Sequence, residues 1–229
     1  MIIEIIATTL KDAIEAEKYG ANRIELVMGI NEGGLTPSYS TIKTVIENVN
    51  IPVHVMIRPH SRSFLYDQYD EMVILEDISI CKKLGADGIV FGALTKAREI
   101  DEQLLKKVIE ASAGMNITFH RAIDETIDIL KATNTIIQYP EITHILTSGG
   151  RNSVLDAVEN IKEMIQITKQ SKVKLIAGSG LTLNKVSDFI KDTKVNEVHF
   201  GSGVRLNQSA IELIDKNKMD TLIQQIKAY

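Results

Sequence analysis

A chain of 229 residues, 44% hydrophobic and 24% charged, has ordinary globular composition, which excludes collagen-like, low-complexity and largely disordered classes. Its formal net charge of -4 provides no general basic field, so neither nucleic acid nor an anionic lipid surface is an expected partner. The single cysteine, Cys81, precludes an intramolecular disulfide and falls short of the thiolate pair usual at a cysteine-based metal site.

The opening residues MIIEIIATTL lack the basic start and long apolar core of a signal peptide. No run of about 18 or more apolar residues occurs, so a cytoplasmic protein with no membrane partner is expected. Short apolar segments rich in β-branched residues alternate with longer segments of amphipathic helical spacing. In chain order, strands are predicted near 2–7, 23–26, 53–57, 88–91, 116–120, 144–148, 174–178 and 197–201. A helix follows each, near 11–19, 38–48, 69–84, 101–112, 125–137, 153–170, 183–192 and 220–228. Eight βα units in 229 residues is the arithmetic of an α/β TIM-type (β/α)8 barrel, and no Pro-, Gly- or Ser-rich linker divides residues 1–229, so a single domain is expected. A doubly wound open sheet is the alternative. It normally needs a glycine-rich turn after the first strand, and Ala7-Thr8-Thr9-Leu10 has no glycine. Gly20 and Gly85 stand where a left-handed residue closes a helix, and Thr36-Pro37-Ser38 supplies a capping hydroxyl and a φ-fixing proline at a helix start. Cys81 shares helical register with Leu75, Ile78 and Leu84, which reads as a buried structural thiol.

In a barrel of this type the active site lies at the C-terminal ends of the strands, whose side chains alternate between the interior and the surrounding helices. If Ile3, Ile5 and Ala7 face helices, Glu4 turns inward. The same parity turns Glu25, Arg58, His120 and His199 inward from strands two, three, five and eight. Glu4, Glu25 and Arg58 could form a buried ion network that fills the barrel. Alternatively they are catalytic, with Glu4 or Glu25 as general base, Arg58 as an anion clamp and His120 as acid or electrophile. Apolar packing often serves stability as well as buried charge does, which favours the catalytic reading. His54 and His144 lie nearer strand starts, where a structural role is expected, and Lys174 sits at the wrong end of strand seven for a Schiff-base lysine.

A second constellation is glycine-based. Thr147-Ser148-Gly149-Gly150 follows strand six, Gly178-Ser179-Gly180 follows strand seven and Gly201-Ser202-Gly203 follows strand eight. Loops after strands seven and eight are the recurrent phosphate position in barrels, and backbone amides approach an anion closely where no Cβ intervenes. With Arg121 and Arg205 nearby, a small phosphorylated or carboxylated metabolite is the implied ligand; simple tight βα turns are the alternative.

The segments Arg23-Ile24-Glu25-Leu26, Asn31-Glu32-Gly33-Gly34-Leu35-Thr36-Pro37-Ser38, Met56-Ile57-Arg58-Pro59, Leu84-Gly85-Ala86-Asp87-Gly88, Thr118-Phe119-His120-Arg121-Ala122 and Leu146-Thr147-Ser148-Gly149-Gly150 resemble the CutC family, named for copper homeostasis. They arrive in the family's order through nearly the whole chain. The resemblance implies a cytoplasmic TIM-type barrel that forms homo-oligomers and binds or handles copper. Many family members carry a cysteine directly after the Glu-Leu of strand two and others near the end of strand one, where this chain has Val27, Ile6 and Ala7. Met28, Met56 and His199 are the soft or borderline donors left for Cu(I). The polar mouth of Glu4, Glu25, Arg58, His120, Arg121, Thr147 and Ser148 suits an anionic organic ligand better than monovalent copper. Two functions therefore stand as expectations: copper binding or handling, and an enzyme or binding protein for a small phosphorylated or carboxylated metabolite.

Overall fold

The computed structural model describes residues 1–227. Its strands are β1 (Ile2–Ala7), β2 (Arg23–Leu26), β3 (Val53–Met56), β4 (Gly88–Phe91), β5 (Asn116–Phe119), β6 (Ile142–Thr147), β7 (Lys174–Ala177) and β8 (Glu197–Phe200). They pair in chain order, all in parallel, and β1 closes on β8 through the register Ile3↔Val198 and Glu4↔His199. Around this barrel run α1 (Leu10–Lys18), α2 (Tyr39–Ile46), α3 (Gln68–Leu84), α4 (Glu102–Ala111), α5 (Ile129–Ile136), α6 (Val158–Thr168), α7 (Leu183–Thr193) and α8 (Lys216–Ile226). The expected (β/α)8 barrel is the observed fold. No helix among the described residues is long and apolar enough to cross a membrane.

Capping chemistry explains where three helices depart from the expected bounds. The helix expected from 125 begins at Ile129, because residues Arg121–Glu125 form a 3-10 turn and the Asp128 carboxylate accepts from the Leu130 and Lys131 amides. Ser153 caps a separate 3-10 turn, Val154–Asp156, so α6 starts only at Val158. Asp215 accepts from the Asn217 and Lys218 amides and starts α8 at Lys216, earlier than expected; residue 228 lies outside the described residues. Ser38 does cap α2, whereas the Thr36 hydroxyl accepts from the Arg58 amide instead.

The hydrophobic core lies between the sheet and the helices. Ile3, Ile5, Ile24, Leu26, Val55, Ile89, Phe91, Ile117 and Phe119 point outward into it and meet Ile74, Ile78, Leu105, Ile136 and Ile161 from the helices. Each such side chain, fully buried, contributes about 1.5–3 kcal/mol. Cys81 is buried in this layer, as its helical register implied. The barrel interior is chemically different. Its apolar part is a small cluster of Val27, Met56 and Val90 together with Leu146 and Ile176, and much of the remainder is polar. Glu4, Arg23, Glu25, His54, Thr118, His144, Glu197 and His199 are all buried.

Two turn glycines carry different burdens. Gly85 closes α3 at φ +83 with nothing within 4 Å of where a Cβ would stand, while Gly149 takes φ +70 with the Ala157 Cβ only 2.5 Å from that position. Gly85→Ala should therefore lose about 1–2 kcal/mol for the left-handed backbone alone. Gly149→Ala should lose more, roughly 2–4 kcal/mol, because α6 must also move. Urea unfolding of the two variants checks the order.

Candidate functional site

Parity places a column of charge along the barrel axis. Arg23 is its pivot: Nε donates to Glu4 Oε2 at 2.5 Å, one Nη donates to Glu197 Oε2 at 2.7 Å and the other lies 3.2 Å from His144 Nε2. Glu4 Oε1 meets His199 Nδ1 at 2.7 Å, and His199 Nε2 stands 3.7 Å from Glu25 Oε2. The interior ion network is real, but its cation is Arg23 rather than the expected Arg58. Burial works against ionised Glu4, yet the Arg23 and His199 charges outweigh it and hold this carboxyl well below the usual range. Burial likewise opposes the His199 imidazolium, and Glu25 and Glu4 together outweigh it and raise its pKa. Glu25 meets His199 at 3.7 Å, but burial, with the Glu4 charge, outweighs that contact and pushes its pKa up to about 7.

A cleft of about 460 Å³ opens at the C-terminal ends of the strands. Glu25, Arg58, His120 and His199 line it; Glu4 does not, because it sits behind His199. One Nη of Arg58 is anchored to the Glu32 and Gly34 carbonyls at 2.8 and 3.1 Å, and its guanidinium lies 4.8 Å from the Phe64 ring centre. The same ring packs 4.9 Å from His120. His120 Nδ1 accepts from the Ala122 amide at 3.1 Å, so the proton of the neutral ring resides on Nε2. Burial, aided by the Arg58 charge, pulls the His120 pKa down to about 3 and keeps the ring neutral. A glycine at position 92 makes room for it, since a Cβ there would collide with Nδ1.

Among the described residues, three that line the cleft carry a buried side-chain atom with no hydrogen-bond partner, Glu25 Oε1, Arg58 Nε and His120 Nε2, and Arg58 also interacts with the Tyr66 hydroxyl. The glycine loops divide. The Thr147 and Ser148 hydroxyls and the Ser148 and Gly150 amides all bond the Asp124 carboxylate, and Gly149 N–H donates to Thr147, so the anion held after β6 is the chain's own. Arg121 pairs with that same Asp124 at 3.0 Å and reaches Ser148 Oγ at 3.2 Å. Ser179, Gly180, Gly201, Ser202 and Gly203 line the cleft, with Gly178 directly below Ser179 in the chain. Arg205 adds no charge there: it is 1% exposed and committed to Asp12 at 3.0 Å and to the Ile6 and Glu212 carbonyls. Of the expected soft donors, Met56 and His199 line the cleft, whereas Met28 stands exposed outside it. His54 and His144 fill structural places, bonded to Thr118 and Arg23.

Sequence reading missed Arg23, Glu197, Asp124 and Phe64. The first two share the inward parity of Glu25 and His199, two residues further down their strands, so the signal for them was present.

A family model described as the CutC family matches residues 1–204. The chain belongs to the CutC family. A family protein CutC from Pasteurella multocida is 36% identical over 209 residues, covering 91% of this chain and 85% of the relative. The human copper homeostasis protein cutC homolog is 34% identical over 218 residues, covering 93% of this chain and 79% of its own. A CutC crystal structure from Streptococcus agalactiae superposes with a TM-score of 0.81 at 28% identity, covering 87% of this chain and 97% of that one. The likeness to phosphoribosyl anthranilate isomerase from Thermococcus kodakaraensis, with a TM-score of 0.64 at 17% identity, shows the fold alone.

Two outcomes follow from the CutC column. Arg23→Met should destabilise the protein by about 3–5 kcal/mol at neutral pH, because two buried carboxylates lose their partner. Glu4 and Glu197 both have lowered pKa values, so their contribution is present above the ordinary 4.5 and disappears as pH falls; the deficit of the variant should shrink in acid. Glu25 has the opposite sign. The folded state holds its proton up to about pH 7 while the unfolded chain releases it near 4.5, so ionising Glu25 costs stability as pH rises. Glu25→Gln should be more stable than the parent by on the order of 1–3 kcal/mol in alkaline solution, and the gain should fade towards pH 4.5. Urea unfolding across pH reads both.

Proposed function

We propose that the cleft receives a small anionic organic ligand and that the acid–base groups in its wall act on it. The observation that carries this reading is that Glu25 and His120, two residues lining one cleft beside Arg58, each carry a buried side-chain atom, Oε1 and Nε2, with no hydrogen-bond partner among the described residues. Each such atom costs about 1–3 kcal/mol in the folded protein, which a ligand offering complementary groups would relieve. Arg58 supplies the positive charge, and the loops after β7 and β8 supply backbone. The amide of Gly180 makes no hydrogen bond to a described residue. A Cβ at Gly178 or Gly203 would lie 2.8 Å from Leu146 Cδ1 or from the Leu181 carbonyl oxygen, so these loops pack closely at glycine. A phosphoryl or carboxylate group suits that surrounding.

Copper handling is the second reading, favoured by the human and Dictyostelium discoideum relatives, which are named copper homeostasis protein cutC homologs. The residues present fit Cu(I) poorly. A soft ion calls for thiolate or thioether ligands. Cys81 is buried on the inner face of α3 with its pKa pushed up to about 12, and Met28 is outside the cleft. The cluster that does converge, Glu4, Glu25 and His199 with donor atoms within 4.8 Å of one another, is hard to borderline. Arg23 already neutralises part of it. The cytoplasmic setting and self-association implied by family resemblance belong to this reading as well.

Inorganic phosphate, a sugar phosphate or a small carboxylate should raise the melting temperature, and Arg58→Ala should abolish the rise. The absence of any shift across such anions would overturn the proposal. Cu(I) binding at micromolar Kd or better, about -8 kcal/mol, weakened by Met56→Ala, would support copper instead.

A further inference from the structure

Resting on that reading of the cleft, we infer a reaction class for it: removal and return of a proton on the carbon beside a carbonyl, in a small oxo compound that carries a phosphate or carboxylate. Glu25 is the base, the Nε2–H of His120 is the donor to the carbonyl oxygen, and Arg58 orients the anionic group.

The strand order fixes the stage. In the closed order β1 to β8, Glu25 on β2 and His120 at the end of β5 are three strands apart in an eight-stranded ring, on nearly opposite walls. Arg58, following β3, stands between them on one side; the loops after β7 and β8 stand on the other. A ligand lying across the barrel would thus meet a carboxylate at one wall and a hydrogen-bond donor at the other, with cationic and amide groups flanking it.

The chemistry of the two walls is complementary. Hydrogen bonding from the Ala122 amide to Nδ1 leaves His120 one tautomer, and the unpartnered nitrogen is then the one that carries hydrogen. A neutral imidazole N–H is suited to an oxygen that gains charge during reaction, because it can stabilise that oxygen without first protonating the substrate. Glu25 is the one carboxyl of the interior group with an unpartnered oxygen and a place in the cleft wall. Glu4 lacks both features, being bonded to Arg23 and His199. The raised pKa of Glu25 supports the assignment, since a base near neutrality is matched to proton transfer at neutral pH. His199, held by Glu4, faces the far oxygen of Glu25 and keeps it in place.

The step balances without an oxidant or reductant. The C–H bond breaks as its proton passes to Glu25 Oε1. The electron pair forms a carbon–carbon double bond, and the carbonyl pair moves to oxygen, where the His120 N–H receives the enolate by hydrogen bonding. Return of the proton from Glu25 to the same carbon restores the carbonyl compound and a carboxylate.

Deuterium exchange tests this directly. The protein in D2O is incubated with small 2-oxo acids and with aldose and ketose phosphates, and loss of the proton NMR signal beside the carbonyl is followed; melting temperatures are measured for the same compounds. Exchange is expected with at least one compound that raises the melting temperature. Glu25→Gln should slow it about 100-fold or more while the thermal shift remains, and His120→Phe should slow it with partial recovery in His120→Gln. If compounds raise the melting temperature but none exchanges, or if exchange survives Glu25→Gln, the reaction class is wrong while the binding reading stands. If none shifts the melting temperature, the binding reading fails and this inference fails with it.

Discussion

The ion pair between Arg23 and Glu4, with Glu197 on the second arm of the guanidinium, is the interaction on which the interior depends. A barrel of this size is ordinarily filled by branched apolar side chains in layers. Here several of the filling side chains are charged, and a fixed, planar cation with several donors serves two carboxylates and a histidine at once. Because Arg23 satisfies Glu4, Glu4 is free to hold His199 through its other oxygen, and His199 in turn faces Glu25. Interior order therefore passes upward from the base of the barrel to the cleft by direct contact.

That arrangement leaves the interior with an uneven charge balance. Glu4 and Glu197 are matched by Arg23 and by a protonated His199, and Glu25 is the carboxyl left over. Its environment is one of desolvation rather than compensation, which is the opposite of what stability alone would select. On the other wall His120 shows the same departure, a neutral ring beside Arg58 with its N–H unused. Strained or unsatisfied groups tend to gather where a protein acts.

Much of the architecture was legible because β-branched runs and amphipathic spacing alternate cleanly, and because parity along β1, β2 and β8 is set by unbroken outward Ile, Leu and Val residues. Parity alone brought Glu4, Glu25 and His199 together correctly. Parity also put Arg58 in the cleft wall, but its anchoring to the Glu32 and Gly34 carbonyls is a loop interaction with no periodic signature. Reading also stopped short at the strand starts, where Arg23 and Glu197 stand, since attention to the catalytic end of a barrel discounts its base. Helix starts moved where Asp128, Ser153 and Asp215 cap more strongly than the apolar pattern suggests. The glycine loops looked equivalent as sequence. What separates them is Asp124, a residue that reaches its partners over more than 20 positions of chain.

Asp124 has a consequence for where an anionic group can dock. By occupying the hydroxyls and amides after β6 with an internal carboxylate, it removes one of the three glycine-rich places where an anionic group might dock. The places that remain lie to one side of the line between Glu25 and His120. An anionic group entering the cleft is thereby directed away from β6 and towards the loops after β7 and β8. Its position along that wall is decided by a side chain buried in the protein's own hydrogen bonds.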